Sequence, residues 1–391
     1  MLTIVDTIGQ TPLVQLQRLT HANEARIGLK CERSNPGGSV KDRPARFIIE
    51  TAERAGWLSQ GGTIIESSSG NFGISLAMLG AAKGYRVIIL VDPKITPTNL
   101  ALLEAYGAEV EIVTEQDDSG SYHKTRIARA NELARQIRGA FRPDQCFNLL
   151  NSEAHANSTA REILVQGGDS LAMVIAAVST GGQLGGILRQ LKLVAPHVQV
   201  VGVDAVGSAI FGGAAHSYLM PGVGLGWTPA NLPLALLDHA FNVPDEAAFL
   251  ACRTLARHEG IMVGASSGAV LLAAMFFAQQ MPAGAQIVAI AADSGERYLQ
   301  TIYNDAWLAD HGLGIDCSPA ELRARARNLR PCAFHEGQVG TVQANLAETL
   351  QVPASTQQMN QLVQEQWQQR SALQLGSAFA TRQALLQDVY C

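Results

Sequence analysis

Residues 63–113 alternate between short apolar runs and helix-length stretches, and the same alternation returns between 150 and 292. Arg86–Val91 sets five apolar residues between Gly84 and Pro93, residues 172–178 are apolar throughout, and 198–204 and 286–292 are dominated by Val, Ile and Ala. A strand half-exposed to water alternates apolar and polar side chains. A continuously apolar strand is covered on both faces, which is the mark of a parallel sheet sandwiched by helices. The pattern predicts further strands at 27–31, 63–66 and 109–113, and a short extended piece at 145–148. It predicts helices from Lys41 to about Gly56, through Ala82, and over 98–106, 121–137, 187–194, 245–258 and 269–278. The polar pair Asn151-Ser152 reads as the cap of a helix running to about Val165. The class is α/β, with helices on both faces of the sheet.

At 391 residues, 47% hydrophobic and 16% charged, the chain can bury more than one core and is not disordered as a whole. Two α/β blocks follow a lead-in at 1–35: one over 36–145, the other over 146–312. Beyond 312 the apolar strands stop. Arg323, Arg325, Arg327 and Arg330 make a basic stretch, and seven glutamines fall within residues 357–369. The segment 313–391 reads as a C-terminal extension, partly helical or disordered, outside the sheet core. A net charge of −5 without a basic block argues against a nucleic-acid partner. The N-terminal stretch has no basic-then-apolar leader pattern, and no run approaches the ~20 apolar residues of a membrane span. Six cysteines are scattered with no C-x-x-C pair, so neither a zinc site nor a disulfide framework follows, and a reducing cytoplasm is the expected compartment.

Lys41 follows Asn35-Pro36-Gly37-Gly38-Ser39-Val40 and opens a helix. A helix N-terminus carries partial positive charge, which disfavours a cation there. A lysine kept partly deprotonated can instead condense with an aldehyde cofactor; taken alone, Lys41 reads far more simply as a solvated surface lysine, and it is the rest of the chain that favours the cofactor. Residues 179–186, Ser-Thr-Gly-Gly-Gln-Leu-Gly-Gly, form a glycine-rich turn between a strand and a helix. Closely spaced backbone N–H groups there suit a phosphate, and no Walker pattern is present. Ser67, Ser68, Ser69 and Asn71 offer donors at another helix start, either for a carboxylate or simply as caps. Ser266 or Ser267 places a hydroxyl at a third. A lysine, a phosphate cradle and a carboxylate loop on an α/β scaffold fit pyridoxal 5′-phosphate (PLP) and an amino-acid substrate.

Six segments, namely 8–13, 35–43, 66–73, 179–182, 263–268 and 293–298, occur in an order and spacing that resembles the cysteine synthase / cystathionine β-synthase family of PLP enzymes, over roughly residues 4–310. The resemblance implies two open, mostly parallel sheets. The 36–145 block would be a smaller mobile domain and 146–312 a larger PLP-binding domain, in a homodimer. It implies that Lys41 bonds the cofactor and later moves the α-proton, and that Asn71 hydrogen-bonds its ring oxygen. Ser179, Thr180, Gly181, Gly182 and Gln183 would bind its phosphate, and Ser266 would face the pyridine nitrogen. Ser67, Ser68, Ser69 and Gln145 would bind the substrate α-carboxylate.

Two departures refine the expectation. Phe72 stands where ordinary cysteine synthases carry a threonine, which changes the substrate loop. Residues 41–45, 208–213 and 298–307 look like the branch that makes 2,3-diaminopropionate precursors for siderophores and peptide antibiotics. That branch joins O-phospho-L-serine to the amino group of L-glutamate, giving N-(2-amino-2-carboxyethyl)-L-glutamate and phosphate. Arg46, Lys94, Arg161 and Arg297 are the cationic candidates for the additional anionic groups. The alternatives are a cysteine synthase using O-acetylserine or O-phosphoserine with sulfide, and a PLP-binding regulatory or partner module that uses the C-terminal extension.

Overall fold

The computed structural model of the chain describes residues 1–117, 120–334 and 352–374. They build two sheets. The larger contains β1 (Leu13–Gln15), β2 (Arg26–Cys31), β7 (Leu171–Ala177), β8 (Gln199–Ala205), β9 (His239–Val243) and β10 (Gln286–Ala291), in the order β1-β2-β10-β7-β8-β9. The smaller contains β3 (Thr63–Ser67), β4 (Arg86–Val91), β5 (Glu109–Ile112) and β6 (Ala140–Phe141), in the order β5-β4-β3-β6. Every pairing is parallel except the β1–β2 edge. This is the α/β class with two mostly parallel sheets. β3 and β10 are buried at every residue, as strands covered on both faces must be.

The helices that carry the site are α1 (Asp42–Arg54), α2 (Asn71–Lys83), α4 (His123–Gln136), α5 (Leu150–Asn157), α7 (Gly182–Val194) and α9 (Ala265–Ala278), with α3 (Pro97–Ala105), α6 (Thr159–Gly167) and α8 (Asp245–Glu259) around them. α9 has no polar face, and Val270 through Met275 are all buried between the larger sheet and α8. A cluster of buried charges joins the two sheets near Lys41. Arg43 donates to Glu32 at 2.7 Å and to Glu162 at 2.5 Å, and Lys30 donates to Glu162 at 2.5 Å. Removing one member would strand a buried charge, at a cost of about 3–5 kcal/mol.

Several sequence expectations are corrected. Residues 145–148 are not extended: Asn148 N donates to Asp144 O at 2.9 Å and Phe147 N at 3.2 Å, which makes a turn, and the short strand is β6 instead. Asn151 is no cap. It lies inside α5, and its Nδ2 donates to Gln145 O and Thr180 Oγ1. α7 and α9 begin several residues earlier than their apolar periods, because each absorbs part of a glycine-containing turn. β1 and β9 are edge strands whose short sequences carry no strong apolar run.

α10 (Asp305–Asp310) ends just before 312 and leads to α11 (Pro319–Arg327) in the extension. α11 is closed by a capping box between Ser318 and Glu321 and buries Leu322 and Ala326 in the larger core. A further helix, Ala354–Gln374, buries Met359 and Val363 against the core of the smaller sheet. Residues 335–351 and 375–391 of the extension lie outside the described residues.

Candidate active site

A cavity of about 360 Å³ opens where strand ends of both sheets meet. Ser67–Asn71 leave β3, Asp92 follows β4, Ser179–Gly182 follow β7 and Asp293 follows β10, so the ligand space lies beyond the carboxyl ends of parallel strands. The expected lysine, carboxylate-loop, phosphate-loop and ring residues line it: Lys41, Ser67, Ser68, Ser69, Asn71, Phe72, Gln145, Ser179, Thr180, Gly181, Gly182, Gln183 and Ser266.

Lys41 caps α1, and its turn is sewn to the opposite sheet. Val40 N donates to Ala292 O at 2.8 Å, and Ser294 N donates to Gly38 O at 3.1 Å. The next residue, Asp42, is buried and accepts from Gly37 N at 2.6 Å and Ser75 Oγ at 2.5 Å. Burial pushes the Asp42 carboxyl up to about 6. Burial also lowers the Lys41 ammonium below the usual lysine range, against the opposing pull of Asp293. The neutral amine, the nucleophilic and basic form, is thereby favoured.

The anion loop is built from backbone. Gly181 has φ +80°, a left-handed conformation that favours glycine, and a Cβ there would press on Pro229 and the Leu232 amide. A Cβ at Gly182 would collide with the Asn151 amide. The first turn of α7 starts at Gly182, so its amide groups are donors without intrahelical partners. Gln183 is 6% exposed, and its Nε2 has no protein partner. A buried, orphaned donor beside a helix N-terminus on a glycine cradle fits a phosphate group.

The residues expected to face the ring divide cleanly. Asn71 Nδ2 donates to Asp293 Oδ2 at 2.8 Å, Asn71 Oδ1 accepts from Arg297, and Tyr298 OH donates to Asp293 Oδ2 at 2.5 Å. The sequence leaves Ser266 and Ser267 both open. In the structure Ser266 lines the cavity, whereas Ser267 Oγ accepts from Ala292 N at 3.0 Å and pins the end of β10.

The 66–72 loop is built from side chains. Ser68 Oγ accepts from Gly73 N at 3.1 Å and so holds the start of α2. Ser69 Oγ donates to Asp92 Oδ2 at 2.8 Å and accepts from Arg126 Nη1 at 2.7 Å. Arg126 also pairs with Asp92 at 3.2 Å. Beneath the loop, burial pushes Glu66 up to about 7 despite Arg142, while its carboxylate accepts from Ser67 N at 2.8 Å and Gln145 N at 3.3 Å. Phe72 borders the cavity but is only 1% exposed; its ring belongs to the core around Ile48 and Leu76.

Of the four cations nominated from the sequence, Lys94 alone lines this cavity. Arg46 pairs with Glu50, Arg161 borders a separate cavity, and Arg297 donates to Asn71 and Gly37 O. Arg126, His123 and Asp92 line the site without having been singled out from the sequence, and Asp293 and Tyr298 line it from the 293–298 segment, to which no individual role was given. Arg126 is one of several basic residues on α4, and nothing local marks it as the buried one. His123 is exposed at the cavity mouth, where crowding by the wall and then Arg126 lower its imidazole below the ordinary histidine range.

A suppressed-pKa amine between a backbone anion cradle and a polar strand-end loop defines a site for PLP. The chain matches the family described as "Pyridoxal-phosphate dependent enzyme" over residues 4–293, and it belongs to that family. It is 44% identical over 310 residues to N-(2-amino-2-carboxyethyl)-L-glutamate synthase of Cupriavidus metallidurans, a match covering 78% of this chain and 91% of that protein. Among solved structures, O-ureido-L-serine synthase aligns at TM-score 0.73 and 34% identity, covering 79% of this chain and 99% of that one. The O-acetylserine-dependent cystathionine β-synthase of Helicobacter pylori aligns at TM-score 0.72 and 32% identity, covering 78% and 99%. The protein is a PLP-dependent synthase of the β-replacement type.

Proposed function

We propose that the protein replaces the phosphate of O-phospho-L-serine with the amino group of L-glutamate, giving N-(2-amino-2-carboxyethyl)-L-glutamate. The observation that carries this reading is the pair of cations, Arg126 and Lys94, that line the cavity in addition to the cofactor cradle. Sulfide brings no further carboxylate, whereas phosphoserine and glutamate bring a phosphate and two more carboxylates. The 44% relative bears the name of this reaction's product. The same reading carries cytoplasmic synthesis of a 2,3-diaminopropionate precursor, for a siderophore or peptide product, by a homodimer.

When bound, PLP supplies an aldehyde for the substrate amine and a ring that withdraws electrons from its α-carbon. The 179–183 loop would hold its phosphate, with Asn71 and Ser266 flanking the ring. Lys41 takes the proton from the substrate α-carbon. The β C–O bond then breaks, its electron pair leaving with phosphate. The glutamate nitrogen gives its lone pair to the β-carbon and sheds a proton to solvent. Lys41 returns a proton to the α-carbon. Arg126, held by Ser69 and Asp92, would receive an anionic group, and Gln145 with Ser67 and Ser68 would orient the α-carboxylate.

The test is visible absorbance and phosphate release after mixing holoenzyme with O-phospho-L-serine, followed by L-glutamate or sulfide. The expected result is a spectral change with O-phosphoserine that reverses with glutamate, with phosphate released. Reversal by sulfide alone, or response only to O-acetylserine, would make the protein a cysteine synthase.

A further inference from the structure

The helix Ala354–Gln374 lies outside the family match, which ends at residue 293, yet it grips the wall of the cavity. Asn360 is the grip. Its Oδ1 accepts from Leu149 N at 2.8 Å, and its Nδ2 donates to Phe147 O at 2.8 Å. One side-chain amide thus clamps the chain on either side of Asn148, just after Gln145 and Cys146, two cavity-lining residues. Met359 Sδ lies 3.2 Å from Asn148 Nδ2, and Val352 packs on Phe147 and Ile127.

The turn needs holding. Asp144 sits at φ 55°, a left-handed conformation uncommon outside glycine, though aspartate tolerates it better than most residues. Gln145 is fixed upstream by Glu66, which accepts from its N, and sideways by Asn151, which donates to its O at 2.8 Å and to Thr180 Oγ1 at 3.1 Å. Downstream, the clamp is Asn360. The rest of the helix anchors the clamp to α5. Glu153, 2% exposed, accepts from Trp367 Nε1 at 2.6 Å and pairs with Arg370 at 2.6 Å, while the Arg189 guanidinium lies 3.9 Å from the centre of the Trp367 ring.

We infer that Asn360 is a positioning residue of the active site: the C-terminal helix, through this amide, sets the Gln145 turn against the amino-acid substrate. The inference rests on the proposed placement of the substrate α-carboxylate at Gln145. Binding energy lost by a loosened turn is expected in substrate affinity, because in the proposed binding mode Gln145 meets the substrate carboxylate, whereas the cofactor phosphate lies on the 179–183 loop.

The test uses full-length holoenzyme with Asn360→Ala, Asn360→Asp and, on the exposed face of the same helix, Gln361→Ala. For Asn360→Ala, KM for O-phospho-L-serine and for O-acetyl-L-serine should rise together about tenfold, as expected for two lost hydrogen bonds. PLP retention and kcat should stay close to the parent's, and Gln361→Ala should match the parent. Asn360→Asp keeps the acceptor for Leu149 N but sets a carboxylate oxygen against Phe147 O, so its KM should rise at least as far; it also serves if the alanine variant does not fold. An unchanged KM in the Asn360 variants, whatever happens to melting temperature or kcat, would overturn the inference. If the parent turns over neither donor, the reaction assignment fails separately. L-serine titrated into holoenzyme and read in the visible spectrum then reports the same weakening, and equal affinities there would overturn the clamp.

Discussion

The two loops that face each other across the cavity are built on opposite plans. The 179–186 loop, leaving the larger sheet, works through backbone amides, and a methyl group at Gly182 would already collide with Asn151. The 66–72 loop, leaving the smaller sheet, works through hydroxyls whose orientation is set by their partners: Ser69 Oγ by Asp92 and Arg126, and Ser68 Oγ by Gly73 N. A backbone cradle is rigid and indifferent to what the rest of the substrate looks like. A side-chain loop can be retuned by changing residues far away in sequence. The difference suggests that cofactor binding and substrate choice are separable in this protein, with Lys41 standing between them.

The largest expected effect is at the shared point. Lys41→Ala should lower turnover by roughly a thousandfold or more, while the glycine loop still retains PLP non-covalently, as read by cofactor absorbance after gel filtration. Turnover within about tenfold of the parent would place the base elsewhere. Next comes the cradle. Gly181→Ala, which puts a side chain on a left-handed backbone against Pro229 and Leu232, should cost PLP affinity on the order of 1–3 kcal/mol, measured by titrating apoenzyme with PLP. At saturating PLP its substrate KM should be close to the parent's. If KM rose and PLP affinity held, the two loops would not be separable.

Arg126→Gln probes the opposite side. It should leave PLP affinity intact and raise KM for the anionic substrates about tenfold or more, through loss of charged hydrogen bonds. Loss of PLP in this variant would break the comparison from the substrate side. The smallest effect is the pH dependence of Glu66→Gln. Burial raises the Glu66 carboxyl from 4.5 to about 7. The folded state therefore holds the proton more tightly than the unfolded chain between those values. The stabilising contribution is full below 4.5 and is lost as pH rises through 7. The melting temperature of the parent relative to Glu66→Gln should accordingly decline from pH 4.5 to 7 and level off above. A flat difference would mean that Glu66 is ionised throughout.

The same contrast explains what the sequence discloses. Lys41 and the 179–183 loop are legible because each function is carried by a short continuous motif in which residue type, turn and helix start coincide. The strands read well where both faces are buried, as in Arg86–Val91, and poorly at the edges, as in His239–Val243. Arg126 and Asp92 are not legible, because they meet only through the packing of α4 against the end of β4, and each looks ordinary in its own segment. Asp293 lies within a legible motif, but its bonds to Asn71 and Tyr298 appear only when two sheets are brought together. The C-terminal helix is a subtler case. Met359, Val363 and Trp367 recur every four residues and make an apolar stripe, but glutamines on the other faces dilute the period and hide which surface is buried.

The most direct test of the account is the bond at its centre. Borohydride reduction of the holoenzyme fixes PLP to whichever amine carries it, and peptide mapping by mass spectrometry then locates the label. A pyridoxyl group on Lys41, lost in Lys41→Ala, is the predicted result. A label on Lys94 or Lys30, or none on a protein that still holds PLP, would contradict it.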